Sequence, residues 1–436
     1  MKILVLGSGG REHAFCWKLS QSKLSPELFI APGNAGTLEF GENIEIEVSD
    51  FNAIKDICIS KSIELVVVGP EEPLVKGIYD FFKSDDALKN IIITGPSANG
   101  AQLEGSKAFS KKFMTKHGIP TAGYREFSID DFEEGVDYIK NHSLPVVLKA
   151  DGLAAGKGVL ICFNHLEALS EFDLMIQQAK FGDAGRKVVI EEFLDGIEMS
   201  VFVLTDGKNY VVLPDAKDYK RVNEGDKGLN TGGMGAISPV PFATEHFLDK
   251  VTERIIEPTI RGLLQDKIDY KGFIFFGLIK VNEEPMVIEY NCRMGDPETE
   301  VVLLRLKNDL LELLIAADRQ ELDKHKVVID KNNAATIVAV SGGYPGSYKK
   351  GLPIRLNYLE DPEAIKHIDE EGGIMVFHSG TKLMDGEILT NGGRVLAVSA
   401  LAGTLGDAIE LSKSTLEEIY FEGMHYRGDI GYEFVE

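Results

Sequence analysis

"VVLKADGLAAGKGVLI", residues 146–161, decides the fold. Val146-Val147-Leu148 is a short apolar run of strand type, and Lys149 closes it. Gly152, Gly156 and Gly158 follow, with Lys157 among them, before a second apolar run, Val159-Leu160-Ile161. Glycines let backbone N–H groups wrap a phosphate chain, and lysine adds a compact charge. A Walker A loop ends in Lys-Ser/Thr and opens a helix, whereas this loop joins two strands. The stretch predicts a nucleotide loop of another class.

Downstream, Val188-Val189-Ile190 predicts a buried strand ending in Glu191-Glu192-Phe193-Leu194. Adjacent side chains on a strand point opposite ways, so one acid meets solvent and the other reaches a ligand. The backbone here is placed to read an adenine edge, with Glu198 set for ribose hydroxyls. Upstream, "SKAFSKKFMTKHGIP" has helical spacing at Ala108, Phe109, Phe113 and Met114, with Gly118 and Pro120 as stops.

Further on, "GFIFFGLIKVNEEPMVIEYNCRMGDPETE" (272–300) predicts a hairpin, Phe273–Val281 and Met286–Asn291, about the Asn282–Pro285 turn. Glu289, Asn291 and Arg293 are two apart and share one face of an extended strand. The opposite face, Ile288-Tyr290-Cys292, is expected to be buried. A carboxylate and an amide oxygen are hard ligands suited to magnesium, which takes its other ligands from water and phosphate. Asp296 and Glu298 follow in a tight turn as supporting acids. Between these stretches lies "PDAKDYKRVNEGDKGLNTGGMGAISP", irregular and glycine-rich, with Lys217, Lys220, Arg221 and Lys227, and Arg254 farther on. Such segments are usually functional or disordered. Its basic groups are expected to meet phosphates, and the "NTGGMG" amides an anion.

The chain starts with a second glycine loop, "GSGGREHAF" (7–15), after Ile3–Leu6. A dinucleotide fingerprint needs a third glycine and an acid ending the second strand. Glu12 occupies the glycine position, and Leu28–Ile30 runs into "APGNAG" without a carboxylate. Nicotinamide binding is thereby excluded. What remains is a helix N-terminus suited to a phosphate, with Arg11 as a planar cation. Ile3–Leu6, Leu28–Ile30, Leu65–Val68 and Ile91–Thr94 alternate with helical patterns and predict a doubly wound parallel sheet. Ligands bind at the carboxyl ends of such strands. Asn34, Pro70 and Glu71, in "APGNAG" and "GPEEPL", therefore belong on the same rim.

At 436 residues the chain is too long for one core. The breaks in pattern divide it into residues 1–103, 104–328 and 329–436, the last a smaller α/β block with turn chemistry in "SGGYPG" and "TNGGRV". A formal net charge of -23 opposes nucleic acid and anionic membranes as partners. Cys16, Cys58, Cys162 and Cys292 lack metal-ligand spacing and are expected as reduced thiols of a cytoplasmic protein. No signal peptide precedes the first strand by this reading, and no apolar run is long enough for a bilayer.

"GSGGREHA", "PGNAGT", "VGPEEPLVKG", "LEGSKAFSK", "KADGLAAGKGV", "IEEFLDG", "NTGGMGA" and "NCRMGDPETE" occur in this order. In them the whole chain resembles the glycinamide ribonucleotide synthetase family. "RMGDPETE" and "NTGGMGA" are highly specific to that family. The resemblance implies an ATP-grasp fold, α/β throughout, whose piece at about 122–192 is mobile and covers ATP. It also implies an ATP-dependent ligation of glycine to 5-phosphoribosylamine through glycyl phosphate, giving ADP and phosphate, with Mg2+ or Mn2+. Carried onto matching positions, it implies catalytic roles for Lys149, Arg293 and Asp215. ATP would be held by Lys107, Lys149, Gly152, Gly156, Lys157, Gly158, Glu191, Glu192, Phe193, Leu194, Glu198, Lys220 and Asn230. The other substrates would meet Gly9, Gly10, Arg11, Glu12, Asn34, Pro70, Glu71, Gly233, Met234, Arg293, Asp296 and Pro297. Glu289 and Asn291 would hold the metal. The "GSGGREHA" loop would take the sugar 5-phosphate, with Glu71 near the ribose. The implied enzyme is a monomer, in transient contact with whatever supplies the unstable amine. The chain departs from many relatives at Ala216-Lys217 and Tyr219, where they carry a Ser-Gln pair before "DHKR". Two other readings stand beside this one: a sister carboxylase using bicarbonate, opposed by "RMGDPETE", and a non-catalytic nucleotide-binding regulator, which would not need the lysines and the metal pair together.

Overall fold

The computed structural model describes residues 1–153, 158–178, 180, 182, 187–356 and 373–435. Strands Lys2–Gly7, Glu27–Pro32, Gly41–Asn43, Leu65–Val68 and Ile92–Pro96 form the parallel part of a nine-stranded sheet. Leu4, Leu6, Val66 and Val68 enter one hydrophobic core, while Ile3, Val5, Leu65 and Val67 enter another. Burial on both faces explains why these strands are continuous apolar runs rather than alternating ones. The sheet continues antiparallel. Tyr270-Lys271 pair with Pro96-Gly95, so the long strand Tyr270–Val281 links the N-terminal strands to Ile197–Thr205 and Glu284–Asn291.

A separate four-stranded antiparallel sheet holds Tyr124–Ser128, Lys187–Glu192, Val146–Ala150 and Val159–Cys162 in that order. Helices Phe132–Lys140 and His165–Ile176 cover it, with a core of its own around Phe127, Phe172 and Ile190. The strands joined by "KADGLAAGKG" are thus neighbours, as the sequence predicts. Those flanking "FLDG" are not: Lys187–Glu192 lies in the four-stranded sheet and Ile197–Thr205 in the nine-stranded one. The "EEFL" segment is the crossover between two sheets.

The third sheet takes strands from both sides of residue 329. Lys217–Asp218 and Gly235–Ser238 lie beside Asn333–Val340, Arg394–Ala402 and Ile374–His378. The departures from relatives find their partners here. Lys217 Nζ lies 2.9 Å from Glu433 and over the Tyr219 ring, and the Tyr219 hydroxyl donates to Glu433 at 2.8 Å. Fully buried Arg427 pairs with Asp226 and Asp429. The C-terminal tail therefore ties down the irregular segment that carries Lys220. No helix among the described residues is long and apolar enough to cross a membrane.

Candidate active site

The helix Lys107–Lys116 starts where Ser106 accepts the Phe109 N–H and Asp151 accepts those of Lys107 and Ala108. Asp151 thereby seats the start of the glycine loop on a helix N-terminus. Lys107 Nζ lies 3.5 Å from the Gly152 carbonyl. One turn later Lys111, which sequence reasoning missed, is 2 % exposed. Lys111 and Lys149 pair with the same oxygen of buried Glu191, at 2.9 and 3.0 Å. Burial is the leading influence on Lys111 and brings its pKa down to about 8 despite Glu191. The i, i+4 spacing of Lys107 and Lys111 was the available signal. Glu192 is the solvated acid of the pair and accepts the Gly123 N–H. Phe193 is exposed and Leu194 half-buried on the crossover. Gly158 accepts the Ala150 N–H at 2.8 Å. Gly156 and Lys157 lie outside the described residues.

The second pole is the strand Glu284–Asn291. Asn282 and Glu283 both have positive φ, 49° and 65°, which is the twist a two-residue hairpin turn requires. A β-bulge at Ile288 interrupts the ladder between Gly277 opposite Glu289 and Leu278 opposite Val287. The expected burial of Ile288 is corrected accordingly. Tyr290 and Cys292 are buried, but Ile288 is half-exposed, and its carbonyl accepts from Lys149 Nζ at 3.4 Å. Glu289 and Asn291 share a face, opposite Tyr290. Among the described residues no donor hydrogen-bonds the Glu289 carboxylate; Asn291 Oδ1 accepts from Arg293 at 3.3 Å.

Arg293 is a hub. It lies 3.3 Å from Glu71 and 2.9 Å from Glu104, and Arg293 and Arg11 both donate to the Met294 carbonyl. Burial pushes Glu71 up, but Arg293 and Arg11 together hold it below the usual carboxylate range. For Glu104, which accepts the Cys292 N–H, burial wins and the pKa is raised. Lys220 lies 2.8 Å from Glu198 and 3.9 Å from Asp218. Buried Glu298, raised to about 7 first by burial and then by Asp218, accepts from Ser200. Glu300 is fully buried, and neither of its oxygens has a hydrogen-bond partner among the described residues. Burial and Asp296 raise its pKa.

Several expected site residues are otherwise engaged. Carboxylates, not a vacant anion cradle, surround the "GSGG" loop. Gly9 N–H donates to Glu12 at 2.6 Å, and Cβ atoms added at Gly7, Gly9 and Gly10 would strike Glu12, Glu12 and Asp296, and Glu300 respectively. Glu12 is thus the capping anion of its own helix. Asn34 donates to the Ser8 and His378 carbonyls and accepts the Gly36 and Thr37 N–H groups, which uses its amide completely. Pro70 precedes the short helix Glu71–Val75 as its N-cap. In "NTGGMG", the N–H groups of Thr231, Gly232, Gly233 and Met234 donate to Lys220 O, Tyr344 Oη, Thr231 Oγ1 and Tyr219 O. These four N–H groups thus have partners within the protein, and the Met234 side chain is wholly in the core. Gly233, at φ 122°, makes room for Pro297. Asn230 is exposed opposite Arg221 in a small hairpin. Asp215 accepts the Val240 N–H at 2.6 Å and faces Arg305. The structure brings it to that structural arginine, not to Lys149 or Arg293.

Two sheets joined by a crossover, with buried Lys149 on one and an acid-amide strand on the other, define an ATP-grasp fold. The chain matches the models of phosphoribosylglycinamide synthetase: the N domain over residues 1–104, the ATP-grasp (A) domain over 105–299 and the C domain over 334–433. It belongs to that family. It is 45% identical over 440 residues to phosphoribosylamine–glycine ligase of Escherichia coli (strain K12), covering 100% of this chain and 99% of that one. It is 43% identical to the ligase of that name from Pseudomonas aeruginosa, covering 100% and 98%. The crystal structure of phosphoribosylamine–glycine ligase from Thermotoga maritima superposes with a TM-score of 0.83 at 34% identity, covering 98% and 100%. The biotin carboxylase domain of Hydrogenobacter thermophilus 2-oxoglutarate carboxylase shares the fold, with a TM-score of 0.73 at 18% identity, covering 97% and 91%.

Proposed function

We infer that this chain ligates glycine to 5-phosphoribosylamine at the expense of ATP, giving glycinamide ribonucleotide, ADP and phosphate. The observation that carries the reading is the meeting of the two poles. Lys149, paired to Glu191 beside Lys111, also reaches the bulge carbonyl next to Glu289. Phosphoryl transfer needs positioning and charge neutralisation more than covalent help. Lys149, Lys111 and Lys107 supply cations for the phosphate chain, and the "EEFL" crossover offers backbone to the base. Lys220 and Glu198 flank the ribose.

The donor chemistry of Glu289 and Asn291 fits a divalent cation. Among the described residues there is no cluster of three or more His, Cys, Asp or Glu suited to a metal, which matches a magnesium that draws its remaining ligands from water and phosphates. When bound, Mg2+ or Mn2+ neutralises phosphate charge. The γ-phosphoryl passes to a glycine carboxylate oxygen. The phosphoribosylamine nitrogen then attacks the carbonyl carbon, the C–O bond to phosphate breaks, and the nitrogen loses a proton. Arg293 is placed to steady the negative charge of the acyl phosphate, with Glu71 holding it. Bicarbonate in place of glycine is the competing substrate class. Resolving the spent nucleotide and assaying product with each acid tests the reading. ADP with glycine-dependent product is expected; AMP with pyrophosphate, or bicarbonate dependence, overturns it.

The four-stranded sheet with its own core supports residues 122–192 as the piece that covers ATP, within limits of 1–103, 104–328 and 329–436 for the three domains. Four buried, unpaired cysteines suit a reducing cytoplasm, where the enzyme acts as a monomer. At the first loop Glu12 takes the Gly9 N–H and pairs with Arg11 Nε at 2.6 Å, while Arg11 Nη1 donates to the Met294 carbonyl, and the rest of the Arg11 guanidinium is our candidate cation for the sugar phosphate. Arg11→Ala is expected to weaken glycinamide ribonucleotide binding about ten- to a hundredfold, the loss of one charge-assisted contact, with ADP affinity unchanged. Lys149→Ala should do the reverse. Calorimetric titration of both variants checks this, and equal loss of both ligands in Arg11→Ala would place the loop in the nucleotide site.

A further inference from the structure

Arg394 begins the strand Arg394–Ala402, in the "TNGGRV" turn that the sequence reading treats as turn chemistry alone. Its guanidinium leaves the C-terminal block and reaches two loops of the site. Nη1 donates to the carbonyls of Asp296 at 2.6 Å and Gly232 at 2.8 Å, and lies 3.0 Å from Asp296 Oδ1. The guanidinium rests against Gly232, where an added Cβ would sit 3.0 Å from its central carbon. Tyr344, from the same block, accepts the Gly232 N–H at 3.0 Å. Both backbone polar groups of Gly232 are therefore held by C-terminal residues. On its far side, the Asp296 carboxylate faces Gly9, where an added Cβ would lie 2.8 Å from Oδ2.

We propose that Arg394 is a positioning residue for the ligation, fastening the Asp296 turn and the Gly232 turn together at the edge of the non-nucleotide half of the site. The inference rests on the function proposed above. Asp296 stands beside Glu300, which is buried and unpaired, and near Glu298. A cation that grips both the carboxylate and the carbonyl of Asp296 holds that turn against Gly232. All three contacts converge on Nη1, so a lysine ammonium at this place keeps the charge and donors for part of the grip but not the planar group that rests against Gly232. A Cβ at Gly232 would sit 3.0 Å from the guanidinium carbon, so a side chain there would press the guanidinium away by a few tenths of an ångström.

The test is equilibrium binding of glycinamide ribonucleotide and of MgADP to the full chain, with turnover alongside. Arg394→Ala should weaken the ribonucleotide at least tenfold, while MgADP stays within twofold. Arg394→Lys should recover part of the loss. Tyr344→Phe, which removes only the acceptor for Gly232 N–H, should shift the same ligand in the same direction by a smaller factor. Ribonucleotide affinity within twofold of wild type in Arg394→Ala, or equal loss of both ligands, overturns the proposal. If Arg394→Ala does not fold, Arg394→Lys and Tyr344→Phe decide, and unchanged affinity in both overturns it. Failure of the wild-type chain to bind the ribonucleotide would instead refute the proposed function.

Discussion

Glu289→Ala is expected to lower turnover by about a thousandfold or more, roughly 4 kcal/mol of transition-state stabilisation, while the melting temperature of the ligand-free protein stays within a degree or two. The two halves of this expectation come from one observation. No donor among the described residues hydrogen-bonds the Glu289 carboxylate, so its removal deletes no bond that holds the fold. Opposite it, Gly277 leaves room, with the Glu289 Cγ 3.1 Å from where a Cβ would stand. The carboxylate stands near Lys220, Asp218 and Arg293 without a hydrogen-bond donor of its own among the described residues, which suits the metal-binding role proposed for it. Steady-state rates across a magnesium titration, with calorimetric melting of the ligand-free variant, check it. Near-normal turnover at low magnesium would show that the Glu289–Asn291 pair is structural only.

Glu191→Ala carries the largest expected effect on stability. Lys111 and Lys149 are 2 % and 5 % exposed, and both rely on one oxygen of Glu191. Removing it leaves two ammonium groups close together in a desolvated place. Breaking a buried ion pair from one side costs about 3–5 kcal/mol. Lys111 retains Thr121 and the Ala122 carbonyl, and Lys149 the Ile288 carbonyl, so the expected loss lies at the lower end, about 3 kcal/mol. Urea unfolding without nucleotide measures it. MgADP should restore more stability to this variant than to wild type, because its phosphates bring back negative charge. A loss below about 1 kcal/mol would mean that water already reaches these lysines.

The same residues mark how far the sequence could be read. Lys149 and the glycines after it were legible because a nucleotide loop is a local chemical pattern. Lys111 was not, because its role comes from Glu191, on a strand eighty residues downstream. Glu289 and Asn291 were placed on one face from period-two geometry. The bulge at Ile288, which turns a carbonyl toward Lys149, is a register event between two strands and has no signature in either. The surroundings of "GSGG" were illegible for a related reason. A glycine permits close approach but does not say of what, and the approaching groups are Glu12, Asp296 and Glu300 rather than a phosphate. Asn34 and the "NTGGMG" amides were expected to face ligands, yet their hydrogen bonds are spent on segments hundreds of residues away or on neighbouring turns.

What the sequence by itself determined is the set of elements and the class of chemistry. Apolar runs of three or four residues marked parallel strands buried on both faces. Gly118 and Pro120 marked the end of a helix, and the order of eight motifs marked the family. Hydrophobic pattern and turn chemistry are local, so they survive in the one-dimensional string. Tertiary structure alone decided which charges meet: that Arg293 is clamped by Glu71 and Glu104, that Lys111 and Lys149 share Glu191, and that Arg394 reaches across from the C-terminal block to Asp296. Buried charges must be paired or neutralised. The partner is chosen by whichever element folds within about 3 Å, a distance no spacing along the chain encodes.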